Sequence, residues 1–351
     1  MAKAKTTAVI KEQSPSDEQS AAKRIARQRK NKPENGEVTI PVSAGISVGK
    51  VFNQQSSDLW SLYHGDCCEV VVELPGNSID YSVFSPPFAS LYTYSDSERD
   101  MGNSKDYEEF FGHFRFLVEQ LLRVTASGRL CSVHCMNLPT TIQHHGEIGL
   151  QDFRGDIIRA FKEAGWIYHS EVCIWKNPVT AMQRTKALGL LHKQMVKDST
   201  RSRQGIPDYV CTFRKRGNNT KPVEGKLSRW IGDESFVSEG NLSIDLWQKY
   251  ASPVWGDINA SRTLQYTTAR GENDERHIAP LQLDVIERCL LLWSNEEDIV
   301  LSPFAGIGSE GYCAVRMKRR FVGVELKESY WNTAVKNLQV AEAELAQVML
   351  F

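Results

Sequence analysis

Four consecutive residues, Ser85-Pro86-Pro87-Phe88, carry the first chemical signal in this chain. They close an apolar run, residues 81–84, that reads as the end of a buried strand. Prolines cannot donate ladder hydrogen bonds, so the strand must stop there. Their fixed φ angles stiffen the turn and push the preceding residue extended. The Ser85 hydroxyl and the backbone carbonyls then face outward as fixed acceptors beside an aromatic ring. Such a cluster is well suited to gripping an exocyclic amino group on a flat heterocycle. The same four residues could equally form an ordinary strand-ending turn with a core Phe. The rest of the chain has to decide.

A second pole lies near the other end. Residues 298–301 read as a buried strand that runs into Ser302-Pro303-Phe304-Ala305-Gly306-Ile307-Gly308 and then a helix. Glycines in such a turn let the backbone approach a ligand closely. Glu325 ends the next strand, about 20 residues on, where a carboxylate accepts hydrogen bonds from two ribose hydroxyls. The spacing falls short of the full G-x-G-x-x-G fingerprint, with Gly311 filling the last position only approximately. This argues against a nicotinamide dehydrogenase and fits a nucleoside carrying no pyrophosphate. The bland alternative is tight strand-to-helix packing with a capping Glu.

The elements that must position these poles alternate. Strands are expected at residues 62–66, 79–84, 130–135, 169–176, 208–215, 298–301 and 321–324. Helices are expected at 106–124, ended by Gly128, and at 153–164, 280–294 and, after Gly311, about 312–319, with a long one at the C-terminus. Alternation of this kind predicts a doubly wound, parallel-rich α/β sheet. The 351 residues suffice for one large domain or two ordinary ones. With 41% hydrophobic and 24% charged residues the composition is globular. No apolar run of membrane-spanning length and no secretory h-region occurs. The eight cysteines form no CxxC pair and read as core thiols in a reducing compartment.

The net charge is −1, so any nucleic-acid surface must come from local segregation. Residues 176–229 supply it, with thirteen Lys/Arg against Asp198, Asp208 and Glu224. An irregular, basic, aromatic insert among regular core segments reads as a recognition region on a scaffold. The residues before about 37 are polar and rich in Lys and Arg, which reads as a disordered basic arm.

Taken together the motifs resemble the amino-directed DNA methyltransferases of the permuted β class, over most of residues 60–340. Tyr63-His64-Gly65-Asp66-Cys67 is similar to the family's Gly-Asp-Cys segment. Ser85-Pro86-Pro87-Phe88 is similar to its catalytic (Ser/Asp/Asn)-Pro-Pro-aromatic motif. His277-Ile278-Ala279-Pro280-Leu281 resembles an element near its cofactor. Residues 301–308 resemble its cofactor turn, and residues 321–326 its following strand. Ser302 departs from the family's usual Asp, and Ile278 from a common Pro.

The resemblance implies a Rossmann-like methyltransferase fold, permuted, with a mostly parallel sheet of the seven-stranded type. It implies S-adenosylmethionine as methyl donor and no metal. Asp66, His277, Pro280 and Leu281 would border its adenine or methionine end. Ser302, Phe304, Gly306 and Gly308 belong to the turn beneath it, and Glu325 would hold the ribose. The catalytic residues would be Ser85, Pro86, Pro87 and Phe88, acting on a base flipped out of double-stranded DNA. Tyr92 and Tyr94 would wall the pocket, and Arg184, Lys186, Arg201 and Arg203 would meet phosphates. Ser in the first motif position favours cytosine N4 over adenine N6. An RNA or protein methyltransferase and an inactive nucleic-acid binder are the other classes.

The expected domains are a basic arm and lead-in (1–45) and a catalytic half (46–176). A DNA recognition insert follows (177–276), including one core strand near 208–215, and then a cofactor-binding half (277–351). The expected setting is the cytoplasm of a bacterium or phage-infected cell. The expected state is monomer or homodimer, with a role in restriction-modification.

Overall fold

The two poles are brought together by a nine-stranded sheet. The computed structural model describes residues 51–88, 101, 107–140, 142–179, 190, 192–224, 226–228, 241–265 and 280–348. All of them belong to one compact unit, Val42–Phe351. His277, Tyr92, Tyr94, Arg184 and Lys186 lie outside the described residues, as does the basic arm.

In chain order, strand β1 is Val51–Ser56 and β2 is Trp60–Gly65, followed by helix α1 (Cys67–Glu73) and β3 (Ile79–Phe84). Helix α2 (Tyr107–Val124) leads directly into β4 (Thr125–Cys135). A small hairpin follows, β5 (Leu138–Thr140) and β6 (Gly149–Gln151), around the short helix α3 (Ile142–His145). Next come α4 (Phe153–Glu163), β7 (Ile167–Ile174), α5 (His192–Lys197) and β8 (Asp208–Arg214). The insert carries β9 (Lys226–Ser228), β10 (Asn241–Ser243), α6 (Ile244–Tyr250) and β11 (Val254–Trp255). The last segment is α7 (Leu283–Trp293), β12 (Ile299–Ser302), α8 (Ser309–Arg316), β13 (Arg320–Glu325) and α9 (Glu328–Val348).

The sheet order is β1-β2-β13-β12-β3-β4-β8-β7-β11. Strands β2, β13, β12, β3 and β4 are parallel, and β8 enters antiparallel between β4 and β7. The seven central strands are those expected; β1 and the two-residue β11 extend the edges. Gly128, expected to end α2, instead lies within β4 at φ 74°, and the helix stops at Val124. Thr125 Oγ1 donates to the Leu121 carbonyl at 2.7 Å, and the chain turns straight into the strand.

Both faces are covered. Val70, Phe114, Leu121, Phe153 and Phe161, from α1, α2 and α4, form one buried cluster with Phe84 and Phe213. Ile286, Leu290, Ala314, Trp331 and Leu338, from α7, α8 and α9, form the other with Tyr81, Val83 and Phe321. A strand covered on both sides is mostly apolar, and β3 is buried at all six positions. Its one acid, Asp80, is used as a pin: Oδ2 accepts the Ile299 amide at 3.0 Å, tying β3 to β12.

Chain direction sets where a ligand can lie. From β12 the chain crosses to β13 on one side; from β3 it crosses to β4 on the other. The gap between β12 and β3 is therefore the switch point, and open α/β sheets bind ligands at its carboxyl end.

Candidate active site

One cleft opens at that switch point. Ser85, Pro86, Pro87 and Phe88 line it from the end of β3, and Phe304, Gly306 and Ile307 from the turn after β12. Gly65 and Asp66 border it after β2, Glu325 and Lys327 after β13, and Pro280 and Leu281 before α7. It holds about 1070 Å³ of empty space, its open mouth included.

The glycine turn is held by the carboxylate it faces. Glu325 Oε2 accepts the Gly306 amide at 2.8 Å and Oε1 the Lys327 amide at 2.8 Å. Gly306 (φ 53°) and Gly308 (φ 86°) are both left-handed. A Cβ on Gly306 would meet nothing within 4 Å, so this glycine leaves open room. A Cβ on Gly308 would sit 3.1 Å from Ala334 Cβ, and one on Gly311 2.5 Å from the Phe321 ring. Those two glycines serve helix packing. Ser302 does not line the cleft; it is fully buried, and its Oγ has no hydrogen-bond partner among the described residues.

Asp66 caps α1: its Oδ1 accepts the Cys68 amide at 2.8 Å. Its ligand atoms and those of Cys67 and Cys68 lie within 4.8 Å of one another. Hydrogen bonding to Cys68, then burial, hold the Cys67 thiol well above its usual range. The cleft therefore presents no ready thiolate at Cys67. All eight cysteines are free, six of them buried.

Phe88 is partly exposed and meets Phe153 edge-on, ring centres 6.0 Å apart. Behind Ser85 stands a group that the sequence motifs did not single out. His134, on β4, brings Nδ1 to 3.2 Å from Ser85 Oγ. Its Nε2 lies 3.2 Å from Asp208 Oδ2, close in distance but off-line for a hydrogen bond. Lys176 forms an ion pair with the other Asp208 oxygen. Burial would raise the Asp208 carboxyl, but Lys176 first and His134 next outweigh it and hold it below the usual range.

Glu310 also lines the cleft, in the first turn of α8, and is 4% exposed. Burial pushes its carboxyl up to about 8; its own backbone amide opposes this, and the Glu325 charge adds to it. Met101 and Tyr330 complete the walls, with Lys327 Nζ 4.6 Å from the Tyr330 ring centre. An apolar strand containing one His, and a helix whose first turn buries a Glu, were the available signals for His134 and Glu310.

Of the expected phosphate contacts, Arg203 is described beside α3 and the 3₁₀ turn Ser199–Arg201, with Ile148 and Thr200. Its Nη1 donates to the Gln204 carbonyl at 3.2 Å. Arg201 ends that turn, and its side chain lies outside the described residues.

The DNA methylase family model N6_N4_Mtase matches residues 79–336. The chain belongs to this family. Among curated proteins it is similar to the Type II methyltransferase M.BglII of Bacillus subtilis, 25% identical over 280 residues, covering 79% of this chain and 68% of that protein. Among solved structures it resembles a Thermus thermophilus protein complexed with S-adenosyl-L-methionine: TM-score 0.55, 22% identity, 80% of this chain and 95% of that one. It also resembles the cytosine-N4-specific PvuII DNA methyltransferase: TM-score 0.53, 15% identity, 85% of this chain and 95% of that one. The two structural likenesses speak to the fold, a permuted methyltransferase sheet with helices on both faces. No helix among the described residues is long and apolar enough to cross a membrane.

Proposed function

We propose that this DNA methylase transfers a methyl group from S-adenosylmethionine to the N4 amino group of a cytosine flipped out of double-stranded DNA. The observation that carries the reading is a shared cleft: the Ser85 corner and the Gly306–Glu325 turn open onto the same space. The residues present fit the donor. Gly306 leaves room for a ligand against the backbone, Glu325 offers carboxylate oxygens at a strand end, and Asp66, Pro280 and Leu281 close the far wall. Bound there, S-adenosylmethionine supplies an electrophilic methyl group.

The chain's own residues handle the acceptor. An aromatic amine is a poor nucleophile because its lone pair is delocalised into the ring. Ser85 Oγ and the Pro86 carbonyl accept hydrogen bonds from its two N–H groups and favour a pyramidal nitrogen. Holding the amine in line with the methyl group lowers the barrier by about 7–11 kcal/mol at best. Phe88 stacks on the flipped base, worth about 1–3 kcal/mol. A neutral Ser85 hydroxyl serves either base; the choice of cytosine N4 rests on Ser in the first motif position, which the family resemblance associates with that branch.

The basic insert, residues 177–276 with Arg184, Lys186, Arg201 and Arg203, supplies phosphate contacts. Such contacts set affinity and salt dependence rather than sequence. The setting that fits a relative of Type II methyltransferases is the bacterial or phage-infected cytoplasm.

The test is direct. DNA from cells expressing the chain is digested to nucleosides and weighed by mass spectrometry. N4-methyldeoxycytidine is expected. N6-methyldeoxyadenosine in its place overturns the choice of base and leaves the enzyme class standing. No modified base at all overturns the reading. A Ser85→Ala variant should lose the product and still bind the donor in calorimetry.

A further inference from the structure

Ser85 has to accept a proton from the amine, yet its own hydroxyl proton must then point elsewhere. The structure shows where. His134 Nδ1 lies 3.2 Å from Ser85 Oγ, and the opposite ring nitrogen faces the Asp208 carboxylate at 3.2 Å. Asp208 is 2% exposed and His134 7% exposed, so neither charge state is freely relaxed by water. Lys176 pairs with the second Asp208 oxygen. Each residue comes from a different strand: the end of β3, then β4, β8 and the end of β7. The antiparallel entry of β8 is what sets Asp208, its first residue, at the same sheet edge as the carboxyl ends of β3, β4 and β7.

The chemistry of this row follows from its order. A buried carboxylate beside Nε2 favours the tautomer that carries its proton there. Nδ1 then bears a lone pair toward Ser85. The Ser85 hydroxyl donates to it and keeps its own lone pairs for the amine. We infer that His134, oriented by Asp208 and Lys176, is the positioning residue that fixes the Ser85 hydroxyl and takes up the proton released by the reaction. This rests on the reading of the cleft as an amino-methyltransferase site.

The balance is complete. The amine nitrogen forms a bond to the methyl carbon as the carbon–sulfur bond breaks, and that bond's pair stays on sulfur. The nitrogen, now cationic, gives one proton to Ser85 Oγ, and Ser85 passes its own proton to His134 Nδ1. The imidazolium so formed faces Asp208, whose charge stabilises it. No oxidant, metal or covalent intermediate enters. A His134 already protonated can only donate from Nδ1 and has no place for the proton, so the row works with the neutral imidazole.

Protonation of His134 should therefore switch the rate off. The charged groups facing it are Asp208 from β8 and, through Asp208, Lys176 from the end of β7. The experiment is single-turnover methyl transfer at saturating DNA and donor, followed from pH 5 to pH 9, with donor affinity measured separately by calorimetry. In the wild type the rate should fall tenfold per pH unit on the acid side. In His134→Asn, whose amide oxygen can still accept from Ser85 but cannot take a proton, that acid limb should vanish. The plateau should drop by about 10²-fold, within the usual range for losing one proton acceptor. Lys176→Met removes a positive charge on the exposed side of the row. It should move the limb to higher pH, because the Asp208 charge facing His134 is then no longer offset.

Donor affinity should be unchanged in both variants, which also shows that they fold. An acid limb that persists in His134→Asn, or stays in place in Lys176→Met, overturns the role of His134 while leaving the methyltransferase reading intact. A wild-type chain that transfers no methyl to any base overturns both.

Discussion

Glu310 offers a quantitative test of how the donor cleft is built. A carboxylate in the first turn of a helix is ordinarily favoured by the backbone amides and the helix dipole. Here burial prevails, with the Glu325 charge acting in the same direction, and the carboxyl is pushed up to about 8. In the unfolded chain it returns to its ordinary value of 4.5. Between those values the folded state holds a proton that the unfolded state has lost. Stability must then fall as pH rises through the window, and level off above about 8. Each unit is worth 1.36 kcal/mol, so between pH 6 and 9 the loss is on the order of 3 kcal/mol. The perturbation is Glu310→Gln, which keeps the shape and cannot ionise. Urea unfolding of both proteins at pH 6 and pH 9 isolates the effect, because other titrating groups are common to the pair. The wild type should lose about 3 kcal/mol more than the variant across that interval. Equal losses would refute the reasoning and place an ionised Glu310 in the cleft. The functional link is immediate: at neutral pH this wall offers a hydrogen-bond donor, not a second negative charge beside Glu325.

Two further outcomes concern stability. Gly308→Ala combines a left-handed backbone, costing about 1–2 kcal/mol, with a Cβ 3.1 Å from Ala334 Cβ, whose overpacking adds about 1–3 kcal/mol. Gly306→Ala carries only the backbone cost of about 1–2 kcal/mol, and its Cβ projects into open room. Denaturation midpoints should fall much further for Gly308→Ala, and donor affinity should suffer more for Gly306→Ala; equal midpoint losses would count against this division of labour. Arg129→Met removes the partner of buried Asp298, which also neighbours Asp80, and breaks a 2.7 Å bond to the Asp80 carbonyl. Stranding that carboxylate should cost about 3–5 kcal/mol in urea unfolding, and a loss under about 1 kcal/mol would show that water reaches the pair.

What could be read from the sequence, and what could not, divides along a physical line. Ser85-Pro86-Pro87 and the Gly306 turn were legible because each is a local conformational constraint: proline ends a strand wherever it falls, and left-handed backbone selects glycine. The buried strands β3 and β12 were legible because parallel sheets covered on both faces favour near-continuous apolar runs. Alternating elements then gave the doubly wound sheet, and with it the site at the carboxyl ends. The start of β4 was misjudged for the converse reason. Gly128 reads as a helix stop, yet it sits inside the strand at φ 74°, close against the backbone of Asn219, where a Cβ would approach to 2.6 Å. A long-range packing demand looked like a local one. His134 shows the same limit at the site itself. Its one local signal, a lone His in an apolar strand, does not single it out, since such a His is usually a satisfied core residue. Its meaning comes from Ser85, Asp208 and Lys176, and only the pairing of β4 with β3 and β8 puts them in a row. Motif spacing records the groups that must touch a ligand through fixed backbone. Groups that act on those groups through side chains are free to arrive from any strand, so the sheet order has to be known before they can be named.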